Sequence, residues 1–355
     1  MTARRILPPA GRAGGLPAVS PAVALRLRGR RQYLILRGQR RRLRELTSVT
    51  DRTRAIAPGA ILLFATLRNE ENRLPWFLAH YRRLGVTQFL IVANNCTDGS
   101  EALLRDQPDV SLWRSTASYK ASRFGMDWMN GLLARYGHGH WCLTVDADEL
   151  LIYPHWETRP LPALTDWLDA QEIPALGTMM LDLYPEGPLG EMPSRPGQDP
   201  LETIPWFDSG NYTLKRQSKL GNLWIQGGPR ARAFFSPAPH RAPTLGKVPL
   251  VRWHWRYAYV SSTHTLLPRH LNDRAATTGG EDISGLLLHT KFLSTIVEKS
   301  REEAIRGEHF ENSSLYNGYY TALSSAPQLQ TKHSMRYQGW RGLEALGLMS
   351  RGGWL

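Results

Sequence analysis

The sequence predicts an α/β fold, with a mostly parallel sheet flanked by helices and a mixed C-terminal half. Three observations predict it. Short continuous apolar runs at Ile61–Thr66 (ILLFAT), Phe89–Ala93 and Trp141–Val145 (WCLTV) have the length of strands buried on both faces. Helical patterns stand between them, as in sheets built from strand–helix–strand units. Polar residues collect just after the runs, at Arg68-Asn69-Glu70, Asn94 to Asp98, and Asp146-Ala147-Asp148. Open α/β sheets bind their ligands at those carboxyl ends.

The elements follow in order. Glu70–Leu84 reads as a helix, because Leu74, Phe77, Leu78 and Tyr81 fall on one face. Ser100–Arg105 is a short helix and Val110–Trp113 a further strand. Residues 119–136 form a helical stretch with Phe124, Trp128, Leu132 and Leu133 on one side. After Tyr153 prolines become frequent. A strand is expected at Ala175–Tyr184, loops over 186–211, and short strands at Leu223–Gln226 and Ala231–Phe235. Leu286–Lys299 is expected to start a helix running toward His309. There is neither an internal repeat nor a sharp linker, so one domain over 56–310 is expected, with a helical or irregular extension over 311–355.

The net charge of +13 on 355 residues resembles a nucleic-acid signature until it is located. Residues 1–55 hold 14 arginines against Glu45 and Asp51, a balance of +12, whereas the other 300 carry 30 basic and 29 acidic side chains. The basicity belongs to an arm. Its first 21 residues, rich in Pro, Gly and Ala, are expected to be disordered. From Ala22 to Leu46 arginines interleave with apolar residues, which fits a basic helix lying on anionic lipid, an RNA-binding arm, or a helix packed on the domain's edge. Cys96 and Cys142 offer no disulfide framework and no metal-ligand spacing, and read as reduced, packed thiols. No apolar stretch reaches the ~18 residues of a membrane span, and no secretory signal opens the chain. A cytoplasmic location is expected, with peripheral contact at the inner face of the membrane through the arm. The sequons at Asn95, Asn211 and Asn312 then have no role.

The strongest chemical signal is VDADEL, Val145 to Leu150. Asp146 and Asp148, two positions apart at the end of a buried strand, repel each other unless a cation intervenes. Mn²⁺ or Mg²⁺ resolves the repulsion, bridges nucleotide phosphates, and neutralises a departing diphosphate. In GGPRAR, glycines permit close backbone approach, and the guanidinium forks of Arg230 and Arg232 suit phosphate oxygens. Two arginines on an exposed strand are the plainer alternative. Glu70 and Glu71 can equally be acids favoured by a helix N-terminus, and Asp98 an Asx-turn residue before Gly99.

With these motifs in order, the chain resembles the glycosyltransferase family 2-like proteins and the related family 92-like group, which have a GT-A fold. The resemblance is carried by LRNEENRLPWFLAHYRRLGV, by FLIVANNCTDGSEALL and by the strand ending in Asp-x-Asp-Glu, over Leu62 to Tyr153. It continues more weakly through DLYPEGP, GGPRARAF, SSTH and LLLHTKFL. It implies a metal-dependent, inverting transfer of sugar from a nucleotide-sugar donor (a UDP- or GDP-sugar) to a glycan or lipid-linked acceptor; a bacterial polysaccharide or surface glycan is the acceptor expected from an arm that docks on the inner membrane. It implies that Asn69 and Glu70 contact the donor nucleotide, that Asp98 holds base or ribose, and that Asp146 faces ribose or metal. Asp148 would ligate the metal directly. A late histidine often joins the metal in such enzymes, and His264 and His289 are both candidates. Lys291 stands where it can touch phosphate. An inverting transfer also needs a general base. Asp182, Glu186 and Asp208 lie in the right portion of the chain, with Asp182 and Asp208 preferred. His254, in RWHWRYAY, reads as packing.

Two other classes compete. A nucleotidyltransferase also uses carboxylates and Mg²⁺, but it would show a Gly-rich loop near its N-terminus, where this chain has LRNEENR. A non-enzymatic membrane or nucleic-acid adaptor would rely on the arm, yet the near-neutral body makes nucleic acid a poor partner.

Overall fold

A computed structural model of the chain describes residues 16, 18–273, 282–306 and 313–354, without the side chains of 304–306 and 313–317. Most of the stretch expected to be disordered lies outside the described residues. The first half runs α1 (Pro21–Glu45), β1 (Thr47–Thr50), β2 (Ile61–Leu67), α2 (Leu74–Arg83), β3 (Gln88–Asn94), α3 (Ser100–Arg105) and β4 (Val110–Ser115). It continues with α4 (Met126–Leu132), β5 (Trp141–Thr144), β6 (Glu149–Ile152), α5 (Leu161–Ala170) and β7 (Ala175–Asp182). Then come α6 (Pro200–Thr203), β8 (Trp206–Asp208), β9 (Thr213–Arg216), β10 (Leu223–Gln226), α7 (Gly228–Phe234), β11 (Gly246–Arg252), β12 (Ala258–Ser261) and β13 (Thr265–Leu267). The chain closes with β14 (Gly285–His289), α8 (Ile296–Arg306), α9 (Ser313–Ser324), β15 (Ser334–Arg336) and α10 (Trp340–Ala345).

Nine strands form one sheet in the order β1-β4-β3-β2-β5-β11-β7-β14-β6. Six of them (β2, β3, β4, β5, β7 and β14) point the same way, and β1, β6 and β11 run against them. The expectation of a mostly parallel sheet therefore holds by direction, while the antiparallel members give it the mixed second half. All seven positions of β3 are buried, so both faces are covered, as the apolar run Phe89–Ala93 within it requires. Because β6 and β11 are reversed, they begin where their neighbours end. Glu149 opens β6 opposite His289, the last residue of β14, and His289 in turn sits beside Asp182, the last of β7. Carboxyl ends and reversed amino ends thus meet along a single edge.

Several elements differ from the sequence reading. Gly285–His289 is a strand, and the helix starts only at Ile296. A five-residue apolar run has no periodicity that separates a central strand from a buried helix turn. The strand expected at Ala231–Phe235 is instead the end of helix α7, through Phe234, and its C-cap Phe235, with Gly227 at φ +147° turning the chain and Pro229 in the first turn. Helix α2 starts at Leu74, after turns over Glu70–Arg73. Before α4, Arg123, Phe124 and Gly125 all have positive φ, so the helix expected over 119–136 begins at Met126 and ends in a wide turn over Leu133–Gly137.

Of the three readings of the Ala22–Leu46 segment, packing against the body is what the fold displays. Leu27, Leu34 and Ile35 bury against Ala258, Val260 and Leu267. Asp127, fully buried on α4, receives Arg37 at 2.7 Å and Arg123 at 3.1 Å, and Trp128 donates to Glu45 at 2.8 Å. The helices touch through glycine, since a Cβ on Gly131 would lie 2.5 Å from the Gly38 carbonyl oxygen. The C-terminal stretch is likewise knitted in: Trp340, Leu343, Met349 and Trp354 join the main core, and Ser350 pairs with Ser284.

Gly131→Ala is expected to cost about 1–3 kcal/mol by forcing α1 off α4, read as a lower urea midpoint at unchanged slope. A second expectation concerns acid. Burial pushes His80 from its ordinary 6.5 down to about 4, while its Nε2 bonds the Leu151 carbonyl at 2.9 Å. Stability from this group is complete above pH 6.5 and falls by up to about 3 kcal/mol as pH drops through 4. His80→Gln, which keeps a donor for Leu151, should flatten that part of the stability–pH curve.

Candidate active site at the strand edge

Two groups of buried charge occupy the edge. The first is a chain. Arg230 Nε donates to Asp182 Oδ2 at 2.7 Å, His289 Nδ1 donates to Asp182 Oδ1 at 2.5 Å, and His289 Nε2 lies 3.2 Å from Asp148 Oδ2. Asp182 and His289 are brought side by side by the parallel β7–β14 register, and α7 delivers Arg230 over them. Burial opposes every charge here, but the partners outweigh it. His289 is raised by Asp148 and then Asp182, and Asp182 is held below the usual carboxylate range by Arg230 and His289. Asp148 is lowered well below that range by His289, Arg73 and Lys291.

The second group centres on Lys247, at the start of β11. Its Nζ bonds Asp146 Oδ2 at 2.8 Å and also the Glu149 carboxylate. Lys247 is 3% exposed, yet Asp146 and Glu149 overcome its burial and raise its pKa. Burial, with repulsion from Asp146 and Asp148, pushes Glu149 up to about 7 against the pull of Lys247. Lys247 and Glu149 escaped the sequence reading, although Glu149 stands inside DADE. A lysine in the run GKVPLVR carries no local sign of its function, because its partners lie about 100 residues away.

Asp148, Glu149 and His289 each offer a ligand atom, all within 4.8 Å of one another, and they are the one such group among the described residues. Two carboxylates and an imidazole suit Mn²⁺ or Mg²⁺. Glu149 is already held by Lys247 and by the Asp146 N–H at 3.2 Å, so Asp148 and His289 fit an ion best. His264, the other candidate, lies outside this group. It contacts the Gly246 carbonyl at 2.6 Å, and burial with Lys247 nearby keeps it neutral, near 4.

The other expected residues are accounted for as follows. Asn69 exchanges bonds with Thr97, and Asp98 accepts from the N–H groups of Glu71 and Ser100, which fits the Asx-turn alternative. Glu70 is taken by Arg73 and Lys299, each at 2.6 Å, and Arg68 by Glu302 at 2.6 Å. Asn94 donates to the Ser115 and Ala117 carbonyls and leaves its buried Oδ1 without a partner. Arg230, 5% exposed, keeps Nη2 without a hydrogen-bond partner. The exposed-strand alternative for the arginine pair therefore does not hold. Arg232 is set apart from Arg230, forking onto Asp208 at 3.0 and 3.1 Å. Asp208 also accepts from Tyr184 at 2.5 Å. Neither Asp182 nor Asp208 keeps a free carboxylate, which counts against both as general base in this arrangement.

No family model matches the chain, and none of the curated proteins does. Among solved structures it is similar to a mannosyltransferase from Pyrobaculum calidifontis in complex with GDP-Man and Mn²⁺, at 19% identity and TM-score 0.26, over 46% of each chain. It is similar to glucosyl-3-phosphoglycerate synthase from Mycobacterium tuberculosis with Mn²⁺, UDP and phosphoglyceric acid, at 13% identity and TM-score 0.22, over 37% of this chain and 45% of that one. A UTP-bound UGPase from Acinetobacter baumannii overlaps 72% of this chain and 98% of its own at 8% identity and TM-score 0.30. The chain spans about half the length of the first two. These likenesses are distant.

Lys247→Met leaves the buried Glu149 carboxylate, and the half-exposed Asp146 beside it, without their cation and is expected to destabilise by about 3–5 kcal/mol in chemical denaturation. Adding Glu149→Gln should recover much of that loss, because the neutral amide no longer needs a counter-charge.

Proposed function

We propose that the chain is a divalent-metal-dependent glycosyltransferase that takes a sugar from a nucleotide-diphosphate donor. The observation that carries this reading is the meeting of Asp148 and His289 at the strand edge beside Arg230, whose Nη2 is buried without a partner. Asp148 and His289 would hold Mn²⁺ or Mg²⁺, which when bound supplies a Lewis acid for the diphosphate leaving group. Arg230 adds a fixed cation for the same phosphates. Asp182 orients His289 through Nδ1, the usual device for presenting the other ring nitrogen to a metal. Its lowered pKa favours this positioning role over that of a base. Asn94, with an unpartnered buried oxygen, and Asp146, 46% exposed at its side chain, are assigned to the nucleoside.

Inversion at the anomeric carbon is the stereochemistry assigned. It rests on the family resemblance alone, and the ion pairs of Asp182 and Asp208 leave the general base that it requires to another group. The turn after β2 contains no glycine and bonds side chain to side chain through Asn69 and Thr97, unlike a loop that wraps a triphosphate. That favours sugar transfer over nucleotidyl transfer.

Calorimetric titration of UDP and of GDP, with and without Mn²⁺, tests the site. One nucleotide is expected to bind only with metal, at least tenfold more weakly in Asp148→Ala and His289→Ala. Metal-independent binding unchanged in both variants would overturn the assignment. Product analysis separates the two transferase classes: nucleoside diphosphate release marks sugar transfer, and pyrophosphate release from a nucleoside triphosphate marks nucleotidyl transfer. Arg230→Gln should weaken nucleoside diphosphate more than nucleoside, which has no phosphate to lose.

A further inference from the structure

Helix α1 has an outer face that the described residues leave uncovered. Its inner face is committed through Leu27, Leu34, Ile35 and Gly38. On the opposite side Leu25, Tyr33, Leu36 and Leu43 are 46–71% exposed, half of the large apolar side chains exposed among the described residues. Leu25, Leu36 and Leu43 stand 11 and 7 positions apart, close to three and two helical turns, so they form a single line. Arg26, Arg28, Arg30, Arg40 and Arg44 are exposed around that line, and none has an ion pair among the described residues. The helix's acid, Glu45, is already engaged by Arg41 and Trp128.

We infer that this face is a docking surface for an anionic lipid bilayer, on which α1 lies flat with its leucine line in the headgroup–acyl boundary. Charge complementarity selects the partner: a cationic rim needs a negative surface, and a line of leucines has something to gain only where it can leave water. An RNA would meet the arginines but leave the leucines exposed. At 25 residues the helix lies about 37 Å along the surface, and no described helix is long and apolar enough to cross it. Because Gly38 and Gly131 lock α1 to α4, the helix docks as part of the folded body. The inference is independent of what the strand edge binds.

The test is flotation of the full chain with vesicles of phosphatidylcholine alone or with one-third phosphatidylglycerol, in low and high salt. Binding is expected only to the anionic vesicles and should weaken with salt. Two sets of exposed substitutions, Leu25→Ser with Leu36→Ser and Leu43→Ser, and Arg26→Gln with Arg30→Gln, Arg40→Gln and Arg44→Gln, should each reduce it more than tenfold while leaving the melting temperature unchanged. Failure of the wild-type chain to float would overturn the inference. So would full binding by the leucine variant, or binding of a single-stranded RNA oligonucleotide that the vesicles do not compete away.

Discussion

The sheet edge carries more buried charge than a core tolerates unless each charge finds its opposite there. Lys247 is the cation on which this depends most heavily, since it alone stands between Asp146 and Glu149. Without it, three carboxylates in four consecutive residues would have to share one strand end, and desolvation together with mutual repulsion would favour protonating some of them. A second cation, Arg230, does the same for Asp182, and His289 links Asp182 to Asp148. Asp148 is contacted directly by His289, while Arg73 and Lys291 stabilise its charge from farther away. Its partner is an imidazole at 3.2 Å, which can lose its proton when a metal competes for both groups.

This arrangement follows from strand direction. Parallel strands alone would have delivered Asn94, Asp146, Asp182 and His289 to the edge, with acids outnumbering bases. Reversing β11 and β6 brings in Lys247 and Glu149 from their amino ends. The same reversal lets β6 pair with β14, so that Glu149 and His289 become cross-strand neighbours. The mixed sheet thus brings Lys247 and Glu149 to the edge as a pair, and Arg230 of α7 adds a further cation there.

A similar economy holds α1. Asp127 is fully buried, and arginines from both α1 and the turn before α4 converge on it, while paired glycines bring the backbones into contact. One face of the helix is committed to the fold, and its leucines and arginines are turned outward together. The sequence pattern of interleaved Leu and Arg leaves open which leucines face in. Packing decides it, and the outward set is the more regular of the two.

The sequence alone determined a good deal: the first four strands of the parallel half and the position of polar residues after them, Asp146 and Asp148 included. These are local facts, written in unbroken apolar runs and in residues adjacent along the chain. It misread Leu286–His289 and Ala231–Phe234 because a short apolar run or a Gly-Pro turn fits either conformation until neighbours cover it. Only the tertiary structure decided which histidine stands beside Asp148, that Asp182 and Asp208 are ion-paired, and that Lys247 belongs to the site. Each of those depends on a pairing across tens to a hundred or more residues, from Asp208–Arg232 to Asp148–His289. The electrostatic cost of a buried charge is settled by its neighbours in space, and a linear pattern does not name them.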